Sequence, residues 1–209
     1  VVVGHWAAKE VQEKIASWMR TAVGVMESSH IRVMRIADNM RNVAVTEGDK
    51  VEAQIRFGWE IDAYPVNEIA EAVQAVGKGD VDALVEEYYS KYQILLEGRD
   101  PEEFKKHVAV QAQIEIGFER FLEEKNYQAI VTHFGDLGAL QQLPGLAIQR
   151  LMEKGYGFGG EGDWKTAAMV RLMKIMTTGK KDAKGTSFME DYTYNLVPGK
   201  EGILEAHML

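Results

Sequence analysis

Residues 156–174, YGFGGEGDWKTAAMVRLMK, pass from a short apolar segment through a glycine-rich turn into a helical pattern. The segment YGFGGEG predicts a strand, and Asp163 is typical of the N-cap of the helix that follows. A strand that enters a helix in this way is the repeating unit of an α/β fold. Glu161 stands among the glycines of the turn, where a plain turn needs no carboxylate. It either favours the helix N-terminus through the helix dipole or performs chemistry, and the local sequence leaves both open.

Strands and helices alternate in both directions from this unit. Apolar residues at helical spacing predict helices over residues 7–29, 66–77, 81–98, 101–124 and 144–155. Asp80 and Asp100 are the predicted N-caps of the third and fourth of these helices. Patterns of β-branched and alternating apolar residues predict strands at 1–6, within 30–41, at 51–59 and within 128–136. The alternation predicts an open, mostly parallel α/β sheet with helices on both faces, a Rossmann- or flavodoxin-like domain over residues 31–180.

The pattern changes near the carboxyl end. The segments SFMEDYTYNLVPG (187–199) and GILEAHML (202–209) both have strand character, with no helix between them. They predict a β-hairpin and the start of a β-rich domain over residues 181–209. Residues 1–30 are predicted to be the end of a preceding α/β domain. Both chain ends are apolar, whereas natural termini are usually polar and loose, so we expect a fragment of a longer protein.

Composition excludes several functional classes. The chain has 209 residues with 32 acidic and 24 basic side chains and a net charge of -8, and its lysines and arginines are scattered. This argues against nucleic acid as a partner, since no basic stripe is present. Without cysteine there is no disulfide and no thiolate metal site, which fits a cytoplasmic protein. No apolar run approaches the roughly 20 residues that span a bilayer, so no membrane association is expected.

Polar residues follow the predicted strands at several places, where open α/β sheets bind their ligands. These places are Asp38–Asn39, His133 to Asp136, Glu161, Glu190–Asp191 and His207. Two carboxylates and an imidazole at separate strand ends are the ligands that a divalent-metal site needs. Oxygen and imidazole ligands without sulfur suit Mn²⁺, Mg²⁺ or Co²⁺.

Each candidate also has a purely structural interpretation. In an alternating strand Glu190 shares a face with Phe188 and Tyr192, and an edge strand would explain such an acid without any function. His207, a histidine in an apolar run, is more often a packed core residue than a ligand. His133 could bind the metal, donate a hydrogen bond to a residue that binds the metal, or pack in the core, and the sequence leaves all three open.

Four long blocks of the chain carry a specific resemblance: RIADNMRNVAVTEGDKVEAQIRFGW, QLPGLAIQRLMEKGYGFGGEGDWKTAAMVRLMK, GTSFMEDYTYNLVPG and ILEAHML. They resemble the successive signatures of bacterial L-arabinose isomerase. The similarity extends from about His5 to Leu209. It implies the interconversion of L-arabinose and L-ribulose, and often of D-galactose and D-tagatose. It also implies that the chain holds the end of the N-terminal domain, the central domain and the start of the C-terminal domain.

The same resemblance implies a metal centre, usually Mn²⁺, held by two glutamates and two histidines. Glu161 matches the first glutamate, Glu190 the second and His207 the first histidine, while the other histidine belongs to a part of the family's sequence beyond this chain. Glu161 and Glu190 are also the implied catalytic acid–base pair. The implied substrate-contacting residues are Met40, Phe134, Phe188 and Met208.

The family is commonly hexameric, a dimer of trimers, so a homo-oligomer is implied. Two other classes remain open. The chain could be a sugar-binding module, since its layered fold resembles that of periplasmic sugar receptors, but a receptor needs no metal on Glu161 and Glu190. It could also be an oligomer scaffold whose exposed aromatic residues form interfaces. The aromatic residues concerned are Trp6, Trp18, Trp59, Tyr88 and Tyr89.

Overall fold

The computed structural model describes residues 1–181, 183 and 188–206, except for the side chains of residues 190–192 and 206. In this part of the chain the helices are α1 Lys9–Ser28, α2 Lys50–Phe57, α3 Val66–Gln74, α4 Lys78–Lys91, α5 Pro101–Lys125, α6 Gly145–Glu153 and α7 Trp164–Thr177. The strands are β1 Arg32–Ile36, β2 Glu60–Tyr64, β3 Ala129–Val131, β4 Gly157–Gly159, β5 Glu190–Asn195 and β6 Gly202–Ala206.

The strands β1 to β4 form one parallel sheet in the order β2-β1-β3-β4. The chain moves from β1 outward to β2, then returns across β1 to β3 and continues to β4. The direction of winding therefore reverses between β1 and β3, as in doubly wound α/β sheets. This confirms the predicted fold class. β5 and β6 pair antiparallel in a separate small sheet, which confirms the predicted hairpin.

Helices cover both faces of the parallel sheet, as predicted. Met34, Ile130 and Phe158 point into one core, which α3, α5 and α6 complete. Val33 points to the other face, where α2 and α7 pack around Trp164. Successive strand residues face opposite sides, so β1 and β3 supply side chains to both cores. Burial of these apolar side chains from water is the main force that holds the layers together.

Residues 51–59 are mostly a helix, and the predicted strand is wrong. The side chain of Asp49 accepts a hydrogen bond from the N–H of Glu52 at 2.9 Å and caps α2, while Gly58 ends it in the left-handed conformation. Val51 and Ile55 lie one helical turn apart and are exposed. The caps decide the conformation here, because residues spaced by four fit a helix face as well as a strand face. The edge strand β2 follows, and its partly exposed residues carry no pattern that predicts it.

Three further expectations are wrong. Residues 1–6, all of them described, are exposed and form no strand. α4 begins two residues before Asp80, which bonds the Nη2 of Arg120 at 2.7 Å instead of capping the helix. Trp59 and Tyr88 are 5% and 1% exposed and belong to the core, so they are not interface residues. Trp6 and Trp18 are exposed, as expected.

Within the described part of the chain, no helix combines the length and apolar character that a membrane span requires.

The glycines of β4 allow α7 to lie directly on the strand. A Cβ on Gly157 would come within 2.1 Å of the carbonyl oxygen of Ala167, and one on Gly159 within 2.2 Å of that of Asp163. Both obstacles are backbone atoms, so any side chain would force the helix away from the sheet. Close packing of α7 on β4 fixes the position of the turn between them, which contains Glu161.

Candidate functional site

The loops that follow β1, β3 and β4 meet at the carboxyl edge of the sheet. The N–H of Met40 donates to the carbonyl oxygen of Glu161 at 3.0 Å, and the N–H of Gly162 donates to that of Thr132 at 3.2 Å. A Cβ on Gly162 would lie 2.4 Å from the Cα of Asn39, so the loops after β1 and β4 touch backbone to backbone. The winding of the sheet reverses here, and doubly wound folds bind ligands in the crevice at such a reversal.

A cavity of about 790 Å³ opens at this reversal. Residues 38–42 of the loop after β1 line it, together with His133, Gly135 and Asp136 of the loop after β3. Its volume falls within the range of about 300–1,000 Å³ that is usual for small-molecule sites. Carboxylate, amide, guanidinium and imidazole groups line it, so it suits a ligand rich in hydroxyl groups better than an apolar one.

Glu161, whose carbonyl oxygen accepts the hydrogen bond from Met40, adopts an unusual backbone conformation. Its φ is +56°, in the left-handed region that costs a residue with a side chain about 1–2 kcal/mol. Glycine would avoid this cost, and Gly162 next to it also has a positive φ, of +87°. The half-buried side chain of Glu161 makes no hydrogen bond or ion pair with the residues that the structure describes. Strained backbone of this kind is concentrated at functional sites.

Asp163, not Glu161, caps α7. Its Oδ1 accepts hydrogen bonds from the N–H groups of Lys165 and Thr166 at 3.0 and 3.1 Å, and its Oδ2 accepts one from the hydroxyl of Thr166 at 2.9 Å. The predicted N-cap is confirmed. Because the helix N-terminus is already satisfied, the cap gives no reason for a carboxylate at Glu161.

Glu47 fixes the far end of the loop that follows β1. Its carboxylate accepts hydrogen bonds from the buried Arg35 at 2.9 Å, from Trp164 Nε1 at 3.0 Å, from Lys50 at 3.0 Å and from the N–H of Gly48 at 2.9 Å. Burial raises its pKa, but the hydrogen bonds outweigh burial and hold the pKa at about 2. This carboxylate therefore joins β1, α2 and the start of α7 beside the cavity.

Comparison with known proteins agrees with this architecture. Residues 32–179 match the L-arabinose isomerase central domain, and residues 185–209 match the L-arabinose isomerase C-terminal domain. The chain belongs to the L-arabinose isomerase family. The L-arabinose isomerases of Geobacillus thermodenitrificans, Geobacillus stearothermophilus and Yersinia pseudotuberculosis are 55%, 54% and 51% identical to it over all 209 residues. The matched region is 41% of each relative, so the chain spans about two fifths of their length. The resemblance inferred from the sequence is confirmed.

The structure brings together some of the residues that the L-arabinose isomerase resemblance assigns to the site. Met40 is half-buried, lines the cavity and touches Glu161 through its backbone. Phe134 follows His133 and is 52% exposed. Phe188 is 8% exposed and packs edge-on against Phe158, with ring centroids 5.3 Å apart. The substrate contacts assigned to these residues stay predictions.

The remaining assigned residues are Glu190, His207 and Met208. Glu190 is the first residue of β5, and its backbone pairs with Ala206 of β6. The side chain of Glu190 is not among those described, and His207 and Met208 lie outside the described residues. Their predicted roles are therefore not tested.

The donor set fits a hard divalent cation. Within the described residues, no group of three His, Asp or Glu side chains is placed to hold a metal ion, but the side chains of two predicted ligands, Glu190 and His207, are not described. The side chain of the third, Glu161, is described, and its carboxylate has no partner among the described residues. Two carboxylates and an imidazole suit Mn²⁺, Co²⁺ or Mg²⁺.

Sequence reasoning missed the pairing of Arg35 with Glu47. A charged residue inside the apolar run IRVMRIA was the available signal, because a buried arginine requires an acidic partner. Arg35 is 1% exposed, and its guanidinium also lies 2.9 Å from a carboxylate oxygen of Asp38 at the cavity. Which acid it meets depends on the path of the loop, which the sequence does not show.

Replacing Glu47 should lower the free energy of unfolding relative to the parent, and this loss should be larger at neutral pH than in acid. The pKa of Glu47 lies at about 2 in the folded state, below its ordinary 4.5, so its contribution is fully present above pH 4.5 and is lost as the pH falls towards 2. We expect Glu47→Gln to cost about 1–2 kcal/mol at pH 7, which allows for solvent screening of a side chain that is 35% exposed.

Thermal unfolding of both proteins across this pH range measures the effect. The exposed Glu13, which pairs with Lys9, provides the control, and Glu13→Gln should change stability little. If the parent and Glu47→Gln differed in stability by the same amount at neutral pH and near pH 2, the prediction would be contradicted.

Proposed function

We propose that the full-length protein interconverts L-arabinose and L-ribulose, and also D-galactose and D-tagatose, with Glu161 and Glu190 as its acid–base pair. One observation carries the proposal: Glu161, whose carboxylate has no partner among the described residues, lies in a strained turn that is hydrogen-bonded to the backbone of Met40, a residue of the cavity. The names of the relatives support the choice of sugar.

The isomerisation moves one proton from C2 to C1 and another from O2 to O1, and two carboxylates can perform these transfers. One carboxylate takes the proton from C2 of the open-chain aldose, a double bond forms between C1 and C2, and the carbonyl oxygen O1 receives a proton. The resulting ene-diol then loses the proton of its O2 hydroxyl and gains one at C1, which gives the ketose. Carboxylates are common general acids and bases, and each positioned group contributes about 10²–10⁴-fold in rate.

Glu161, Glu190 and His207 would hold a divalent cation, together with a histidine from a later part of the full-length protein. Mn²⁺ is the proposed ion, with Co²⁺ and Mg²⁺ as alternatives. When bound, such an ion supplies Lewis-acid stabilisation of negative charge on the sugar oxygens. The carboxylate of Glu161, which has no hydrogen-bond or ion-pair partner among the described residues, supports its part in this set.

Met40, Phe134, Phe188 and Met208 are the proposed apolar contacts of the sugar. A wall of such side chains excludes water and so strengthens the electrostatic interactions of the reacting groups. The position of Met40 on the cavity and against Glu161 supports its part in this wall.

The protein is further proposed to work as a cytoplasmic homo-oligomer, a hexamer built as a dimer of trimers. Apolar side chains of α1 support an interface, since Trp18, Val25 and Met26 are 72%, 71% and 59% exposed. Water-exposed apolar groups in such number on one helix mark interaction surfaces. The proposed domains are residues 1–30, 31–180 and 181–209.

The first test measures ketose formation from L-arabinose by the full-length protein, after chelation and after addition of Mn²⁺. Turnover that requires the added ion supports the proposal.

Calorimetry with Mn²⁺ on the parent and on Glu161→Gln/Glu190→Gln then tests the metal ligands, since the double variant should lose Mn²⁺ binding. Folded protein that binds L-arabinose without turnover with Mn²⁺, Co²⁺ or Mg²⁺ would overturn the proposal in favour of a sugar-binding module.

A further inference from the structure

His133 places a ring nitrogen without a partner beside the cavity. Its Nδ1 is buried and makes no hydrogen bond within the described part of the chain. Gly135 lies against this nitrogen, and a Cβ there would come within 3.2 Å of it, so no side chain of residue 135 can serve as its partner. The residue as a whole is only half-buried and lines the cavity, which leaves Nε2 as the nitrogen that can meet a ligand.

The environment of Nδ1 selects one tautomer of the neutral ring. A hydrogen on Nδ1 would be a buried donor without an acceptor among the described residues, and in the protein backbone buried N–H groups are left without a partner more rarely than buried acceptors are. The hydrogen therefore belongs on Nε2. His133 consequently presents a donor, not an acceptor, to the cavity.

We propose that the Nε2–H of His133 donates a hydrogen bond to a hydroxyl or carbonyl oxygen of the sugar. This inference rests on the proposed function, since it takes the cavity between the loops after β1 and β3 as part of the sugar site. An open-chain sugar carries an oxygen on every carbon, and it needs donors as well as the carboxylates of Asp38 and Asp136 that line the cavity. His133 and Met40 line the same cavity from the loops after β3 and β1, so the two residues would contact the ligand from different loops.

Three substitutions of His133 in the full-length protein distinguish a donor at Nε2 from a ring that merely packs. His133→Phe keeps the ring but removes the donor, and we expect its KM for L-arabinose to rise about tenfold with kcat changed less than about threefold. His133→Gln places an amide N–H near the position of Nε2 and should restore KM to within about threefold of the parent. His133→Asn places its amide near Nδ1 and should behave like His133→Phe. His30→Asn is the control, because His30 is exposed just before β1, at the opposite edge of the sheet.

Calorimetry with L-arabinitol, an unreactive reduced form of the substrate, separates this inference from the proposed function. In the presence of Mn²⁺ the parent and His133→Gln should bind it, and His133→Phe should bind about tenfold more weakly. Equal affinity and equal KM for the parent and a folded His133→Phe would overturn the role of His133 and leave the isomerase intact. Equal losses in the Gln and Phe variants would also overturn it. A parent that neither turns over L-arabinose nor binds L-arabinitol would overturn both proposals.

Discussion

Glu161→Ala in the full-length protein should lower kcat/KM for L-arabinose by at least about 10³-fold while the protein stays folded. The variant loses both a proton-transfer group and a metal ligand in the proposed site. The fold should survive, because the carboxylate makes no hydrogen bond or ion pair with the described residues and Asp163 caps α7 independently. Initial rates with added Mn²⁺, together with thermal unfolding, measure the two effects. Normal turnover by the variant would show that Glu161 is not catalytic.

Glu161→Gly separates function from strain at the same position. Glycine adopts a φ of +56° without the cost that a side chain carries, so we expect this variant to gain about 1 kcal/mol in stability while it loses activity as Glu161→Ala does. Glu97 provides a matched control, since it is exposed and has a φ of +49°. Glu97→Gly should gain a similar stability and keep full activity. Equal activity losses in both glycine variants would point to a general backbone effect instead.

Arg150→Ala should destabilise the protein by about 3–5 kcal/mol, because it leaves a buried carboxylate without its main partner. Glu115 is 0% exposed and Arg150 is 5% exposed, and the two form hydrogen bonds of 2.7 and 3.0 Å. Tyr88 and Lys154 also bond Glu115, at 2.6 and 3.0 Å, so the group joins α4, α5 and α6. Burial and the hydrogen bond to Glu115 raise the pKa of Tyr88, which therefore stays protonated as a donor.

Denaturant unfolding of matched variants measures this effect. Arg120 forms an exposed ion pair with Asp80 at 2.7 Å, with more than half of each side chain open to water, and Arg120→Ala should cost at most about 1 kcal/mol. Glu115→Gln/Arg150→Met removes both charges and should recover part of the loss. A cost for Arg150→Ala as small as that for Arg120→Ala would contradict the importance of the buried group.

Local signals predicted the elements whose ends are capped by their own residues. Asp100 followed by Pro101 predicts the start of α5, and its side chain accepts a hydrogen bond from the N–H of Glu103 at 2.8 Å. The same reasoning fails at α4, which begins two residues before Asp80, and the side chain of Asp80 instead bonds Arg120, 40 residues further along the chain. A cap is predictable where no distant residue competes for it. The span 51–59 fails for a related reason, since its apolar spacing fits two structures and only the caps choose between them.

The sequence by itself determined the alternation of strands and helices, the cap at Asp163, the family and the identity of the candidate carboxylates, because these depend on neighbouring residues or on long matching blocks. Only the tertiary structure decided that the loops bearing Met40, Glu161 and His133 meet at the carboxyl edge of the sheet, where Met40 and His133 line one cavity. That meeting depends on the strand order β2-β1-β3-β4, which places β3 beside β1 although 92 residues separate Ile36 from Ala129. The tertiary structure also decided that Glu161 takes the left-handed conformation, although the neighbouring glycines would adopt that conformation at lower cost. Contact of the turn with the loop after β1 fixes the backbone there, and no local propensity encodes that contact.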